Sequence, residues 1–143
     1  MHRLQLIPVI LGVLLATAAG AEDFDGSRRM DCTALKGHDC LADMNQCSRL
    51  KPEGDSQPVL SVDVAAKQVK SPFRTALLPI GNVANNRENL VLQGTDLQFA
   101  WSAMIHRTTG AMTISIADRK GAYVIFAQCA LATPPAPTPT TPE

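Results

Sequence analysis

Leu97-Gln98-Phe99-Ala100-Trp101-Ser102-Ala103-Met104-Ile105 alternates apolar and other residues without a break. At a side-chain period of two, Leu97, Phe99, Trp101, Ala103 and Ile105 share one face, so the stretch reads as a strand with that face in a core. Arg107-Thr108-Thr109-Gly110 follows as a turn in which glycine can take the left-handed conformation of a bulged hairpin. The next run, Ala111 to Ile116, turns Met112, Ile114 and Ile116 inward. Asp118-Arg119-Lys120-Gly121 supplies a second turn, and a final run extends from Ala122 to Cys129.

The pattern continues toward the amino terminus. Val59 to Val64 alternates, and Lys67 to Lys70 resumes after Ala65-Ala66, which predicts a hairpin. Phe73 to Ile80 is a further run, and Pro79 near its end marks an edge or a bend. Gly81-Asn82 and Asn85-Asn86 read as a loop before the run Asn89 to Gln93, which stops at Gly94. About six or seven strands at this spacing, with no βαβ rhythm, predict a mainly β protein. Its expected form is a small antiparallel β-meander barrel or sandwich, preceded by a disulfide-stapled loop and short-helix segment.

Met1 to Ala21 has a basic start at His2 and Arg3, an apolar run from Leu4 to Leu15, and the small residues Ala19-Gly20-Ala21 at its end. That is the layout of a cleaved signal peptide. The apolar core is broken by Gln5, Pro8 and Gly12 and falls short of the ~20 residues that span a bilayer, so no membrane span is expected after cleavage. The organisation read from the chain is a signal peptide (1–21), a cysteine-bearing segment (22–52), an antiparallel β domain (53–130) and a disordered Pro/Thr-rich tail (131–143).

Cys32, Cys40, Cys47 and Cys129 make an even count in a chain read as exported, periplasmic or secreted, which implies two bridges with three possible connectivities. Asp39 ahead of Cys40 to Cys47 reads as a short capped helix, with His38 and Asp39 as its turn and cap. Residues seven apart on a helix lie about 10 Å apart along its axis. A disulfide needs Cα atoms within about 7 Å. On that reading Cys40 and Cys47 do not pair, Cys32 takes one of them and Cys129 the other. A long-range bridge of this kind contributes on the order of 4 kcal/mol. The six- and seven-residue gaps between Cys32, Cys40 and Cys47 do not match zinc knuckles, so no metal is expected.

Charge excludes one partner class. Thirteen Lys and Arg face thirteen Asp and Glu, and loss of the leader removes Arg3 but no acid, so the mature chain is close to neutral. Its basic residues are scattered, whereas a duplex-binding surface clusters them. Motifs for nucleophile elbows, zinc peptidases, phosphate loops and dinucleotides are missing from the chain. His106 beside Arg107 is the one histidine that could serve as a base, and a hydrolase using His106, Arg107 and Asp118 is the least favoured reading. Glu22-Asp23-Phe24-Asp25-Gly26 reads as a frayed terminus rather than a calcium loop.

Ile105-His106-Arg107-Thr108-Thr109-Gly110, followed by Tyr123 and Cys129, resembles the I-D-R-x-T-G hairpin signature of small exported proteobacterial proteins, with His106 where that pattern has aspartate. The resemblance implies a fold and an address without implying an activity, and His106, Arg107, Thr109 and Gly110 are its motif residues. The expectation is therefore a non-enzymatic exported binding or interaction module. It has no cofactor, and it engages an envelope protein or a small ligand; an envelope-associated structural accessory is the alternative.

Overall fold

Ten antiparallel strands form one curled sheet in the computed structural model, which describes residues 23–43, 46–50, 57–72 and 75–133. In chain order they are β1 (Met30–Leu41), β2 (Ser48–Arg49), β3 (Val59–Asp63), β4 (Gln68–Lys70), β5 (Leu78–Pro79), β6 (Asn82–Asn85), β7 (Asn89–Asp96), β8 (Phe99–His106), β9 (Ala111–Asp118) and β10 (Gly121–Leu131). The sheet runs β5-β4-β3-β1-β10-β9-β8-β7-β6, with β2 pairing on β1. The mainly β, meander-type fold is thus as the alternation dictates.

The curl follows from the chain path. Only Ile80 and Gly81 separate β5 from β6, so the segment 78–85 first pairs with β4 and then crosses to pair with β7. Gly81 N–H donates to the Gln93 carbonyl at 2.8 Å, and Ile80 N–H to the Lys67 carbonyl at 2.9 Å, which stitches this seam. At its centre Gly94, opposite Trp101 in the register, leaves room for the indole and for the Pro79 carbonyl.

Alternation on the long strands sets the core. Leu90 and Leu92 of β7, Trp101 and Ile105 of β8, Met112 and Ile114 of β9, and Ile125 and Ala127 of β10 are all buried. Leu97 departs from its expected place: fully exposed, it sits in the β7–β8 turn, where Asp96 Oδ1 accepts its N–H at 2.6 Å and ends the strand's alternation. The stretch 82–85, read as loop, is β6.

The amino-terminal segment differs most from expectation. β1 lies between β3 and β10 in the middle of the sheet, so the cysteine-bearing segment is part of the β structure rather than a preface to it. No helix occurs among the described residues: Cys40 and Leu41 end β1, and Ala42 and Asp43 begin a turn. Positions 44 and 45 of the expected helix lie outside the described residues. Because 40 and 47 flank a hairpin between β1 and β2, their Cα atoms are 4.2 Å apart and they form a disulfide. Cys32 and Cys129, register partners on β1 and β10, form the other. The expected connectivity is corrected accordingly, and His38 and Asp39 are strand residues rather than a helix cap.

Two disulfides suit a non-cytoplasmic chain. The expected signal peptide (1–21) lies outside the described residues, as does 134–143 of the expected tail. Leu131 still belongs to β10, and Ala132 N–H donates to the Arg29 carbonyl at 2.8 Å, so the chain stays ordered past the expected boundary. No described helix is long and apolar enough to cross a membrane.

Candidate functional site: an open mouth and a sealed end

The hairpin motif builds one end of the curl. Gly110, at φ +70°, allows its N–H to meet the His106 carbonyl at 2.8 Å and its own carbonyl to accept Cys129 N–H at 2.9 Å. A Cβ at Gly110 would lie 2.7 Å from both the Cys129 carbonyl oxygen and Phe24 Cζ, so the turn presses directly on β10 and on the Phe24 ring. Gln128 Nε2 donates to the Thr109 carbonyl at 2.6 Å. His106 Nδ1 accepts Thr109 N–H at 3.3 Å and lies 3.1 Å from Thr109 Oγ1.

Arg107 ties three segments together. Its guanidinium pairs with both carboxylate oxygens of Asp23, through Nε at 2.8 Å and through Nη2, and Nη1 donates to the Asn86 carbonyl at 3.0 Å. Its backbone N–H meets the Glu88 carbonyl and its carbonyl accepts Phe24 N–H. The hydrogen bonds and charge of Asp23 hold the guanidinium above its ordinary pKa. Phe24 is therefore buried beneath this clamp and Gly26 packs against Val64 and Leu90. Residues 23–26, expected to fray, plug the end instead.

The Asp25 carboxyl sits below its ordinary value of 3.8, chiefly because Ser27 hydrogen-bonds to the charged form. A depressed folded-state pKa stabilises the fold above the ordinary value and loses that contribution as pH falls through the lowered one. Asp25→Asn should flatten the acid limb of Tm measured from pH 5 to 2, and the effect should be small because the carboxylate is exposed.

Among the described residues the opposite end is open. Antiparallel pairing brings the start of β8 and the ends of β4 and β9 to the same rim as the start of β10, and there a cavity of about 340 Å3 opens. Leu78, Phe99, Ile116 and Ile125 supply its apolar wall, and Leu50, seated over Gly37, closes one side. Ser71, Asp118 and Tyr123 are the polar residues of the lining. Asp118 Oδ1 accepts Lys120 N–H and Gly121 N–H at 2.7 and 2.9 Å, which fixes the β9–β10 turn at the rim. Asp39, the register partner of Tyr123, has a buried Oδ1 with no hydrogen-bond partner among the described residues.

A smaller void of about 40 Å3 continues inward. It shares Leu78, Phe99, Ile116 and Ile125 with the mouth and reaches Trp101, Met112 and Leu92. Trp101 Nε1 is buried over Gly94 and has no hydrogen-bond partner among the described residues.

The residues singled out by sequence are thus divided. His106, Arg107, Thr109 and Gly110 gather with Cys32 and Cys129 at the sealed end, while Cys40, Cys47 and Asp118 lie toward the mouth. Eight-residue β9 spans about 23 Å at ~3.3 Å per residue, so the structure does not bring Asp118 to His106 and Arg107. No group of three metal-ligating side chains occurs among the described residues. The mouth itself escaped the sequence reading, since Leu50, Ser71, Leu78, Phe99, Ile116 and Tyr123 come from scattered elements that only sheet curvature assembles.

Exposure separates the two disulfides. Cys47 is exposed, whereas Cys32 and Cys129 are 0% and 4% exposed. Graded reductant followed by alkylation and mass spectrometry should therefore label Cys40 and Cys47 first. Equal labelling of all four would contradict the burial. Comparisons with protein-family models, with curated proteins and with solved structures give no match to this chain.

Proposed function

We propose that this chain is a small exported binding module, periplasmic or secreted, that takes a ligand through its open mouth and performs no catalysis. The observation that carries the reading is asymmetry: a disulfide, a salt-bridged clamp and a buried phenylalanine seal one end, while the other keeps an apolar cavity of about 340 Å3. Small-molecule sites are concave, mostly apolar and carry few polar groups, with volumes of roughly 300–1,000 Å3. Export is supported by the leader-like first 21 residues and by the paired cysteines. The I-H-R-T-T-G likeness to small exported proteobacterial proteins supports the same address.

Titration with the neutral dye N-phenyl-1-naphthylamine tests the reading. The native chain should show saturable one-to-one uptake. Ile116→Trp, which fills the half-buried wall of the mouth, should weaken uptake about tenfold or more, a change of roughly 1.4 kcal/mol, with unchanged far-UV circular dichroism. Absence of saturable uptake, or uptake indifferent to Ile116→Trp, would refute it.

A further inference from the structure

Resting on the ligand-binding reading above, we infer that the mouth takes an apolar compound bearing an ammonium group, which it holds at the rim against the Asp118 carboxylate. Three observations converge. Asp118 is the one charged side chain among the described residues of the lining, and it is exposed to solvent. Its Oδ1 accepts the Lys120 and Gly121 N–H groups, whereas Oδ2 has no hydrogen bond and no ion pair among the described residues. Aromatic residues of the lining stand on both neighbouring strands: Phe99 of β8 is the cross-strand partner of Asp118, and Tyr123 of β10 pairs with Ile116, two residues back on the same face. A carboxylate among aromatic faces is the donor-free, electron-rich set that attracts an ammonium ion.

The rest of the lining decides the body of the ligand. Leu78, Ile116 and Ile125 with Phe99 offer an apolar wall from the mouth inward. Arg119 and Lys120 follow Asp118 in the turn, yet neither lines the cavity or pairs with it, so an anion would meet repulsion without a partner. Size is bounded as well. A dry cavity of about 150 Å3 accommodates benzene, so about 340 Å3 suits two fused rings or a chain of similar bulk. The inner void of about 40 Å3 has room for little more than a water, which keeps the charged head at the rim. There it retains part of its hydration and avoids the cost of full burial.

Calorimetric titration with (2-naphthylmethyl)trimethylammonium, with its uncharged isostere 2-neopentylnaphthalene and with 2-naphthylacetate tests the inference. The cation should bind about 3- to 30-fold more tightly than the hydrocarbon, and the anion most weakly. Raising the salt concentration should shrink the preference. Asp118→Asn, whose side-chain oxygen can still accept the two N–H groups of the turn, should bring the affinities of cation and hydrocarbon together. Should that variant not fold, Asp118→Ser, with a hydroxyl that can accept the same groups, takes its place. A hydrocarbon or anion bound as tightly as the cation would overturn the inference and leave the binding module standing. So would a preference that survives the loss of the carboxylate or is indifferent to salt. If none of the three compounds binds, both readings fall.

Discussion

Removing the Cys32–Cys129 bridge by a double alanine substitution should lower stability by about 4 to 5 kcal/mol and Tm by roughly 20 °C or more. The bridge closes a loop of 97 residues, so it restricts nearly the whole unfolded chain. The Cys40–Cys47 bridge spans only 7 residues, and the same loop-entropy relation gives about 2.5 kcal/mol. Burial widens the gap. Both distant cysteines lie in the core, where Met112 Sδ is 3.8 Å from Cys129 Sγ, and alanines would leave unfilled space beside it. Thermal melts of the two double variants check the order; a Cys40/Cys47 loss as large as the Cys32/Cys129 loss would refute the account. A domain holding only about 5–15 kcal/mol in total should be barely folded at 37 °C without the long bridge.

The second large effect is expected at Gly94. An alanine there would place Cβ 2.2 Å from the Pro79 carbonyl oxygen and 2.5 and 2.6 Å from Trp101 Nε1 and Cε2. Neither neighbour yields easily. The Pro79 carbonyl belongs to the segment that crosses between the sheet's ends, and the indole is held in the core, so substitution should cost about 2–4 kcal/mol. Gly81 provides the control on the same seam. Its added Cβ would meet only the Gln93 carbonyl at 3.8 Å, and its φ is not positive, so Gly81→Ala should be neutral or gain about 0.4–1 kcal/mol. Urea midpoints of the two variants distinguish local crowding at Gly94 from a general intolerance of the seam.

The parts of the fold that sequence makes legible are those where period-two alternation meets unambiguous turn chemistry. β8, β9 and β10 satisfy both, with Gly110 and Asp118 closing their turns. β1 defeats the same reading because its register shifts between Ala34 and Lys36 and leaves Leu35 exposed. Past that bulge the inward face changes phase, and a strand that alternates in two halves resembles no single pattern. The Asp39-to-Cys47 stretch then invites a helical spacing argument, which fails once 40 and 47 face each other across a hairpin.

β6 is silent for another reason. All four of its residues are exposed, so burial imposes no pattern on Asn82 to Asn85, and its place is fixed by backbone pairing to β7. The hairpin motif was visible as a turn, yet its partners Asp23 and Phe24 were not, because nothing local reveals a contact across 84 residues. The mouth is the extreme case of the same limit. Its chemistry is ordinary at every position and becomes informative only when Phe99, Ile116 and Leu78 are brought to one rim.

The short crossover after Pro79 bears on behaviour at high concentration. Because β5 hands the chain to β6 within two residues, the outermost ladders are only two and four residues long. Strand-by-strand recruitment of a second molecule needs a long, flat and unsatisfied border. This protein offers such a border nowhere among its described residues, so concentrated solutions should resist fibrillar growth until the crossover itself is pulled away.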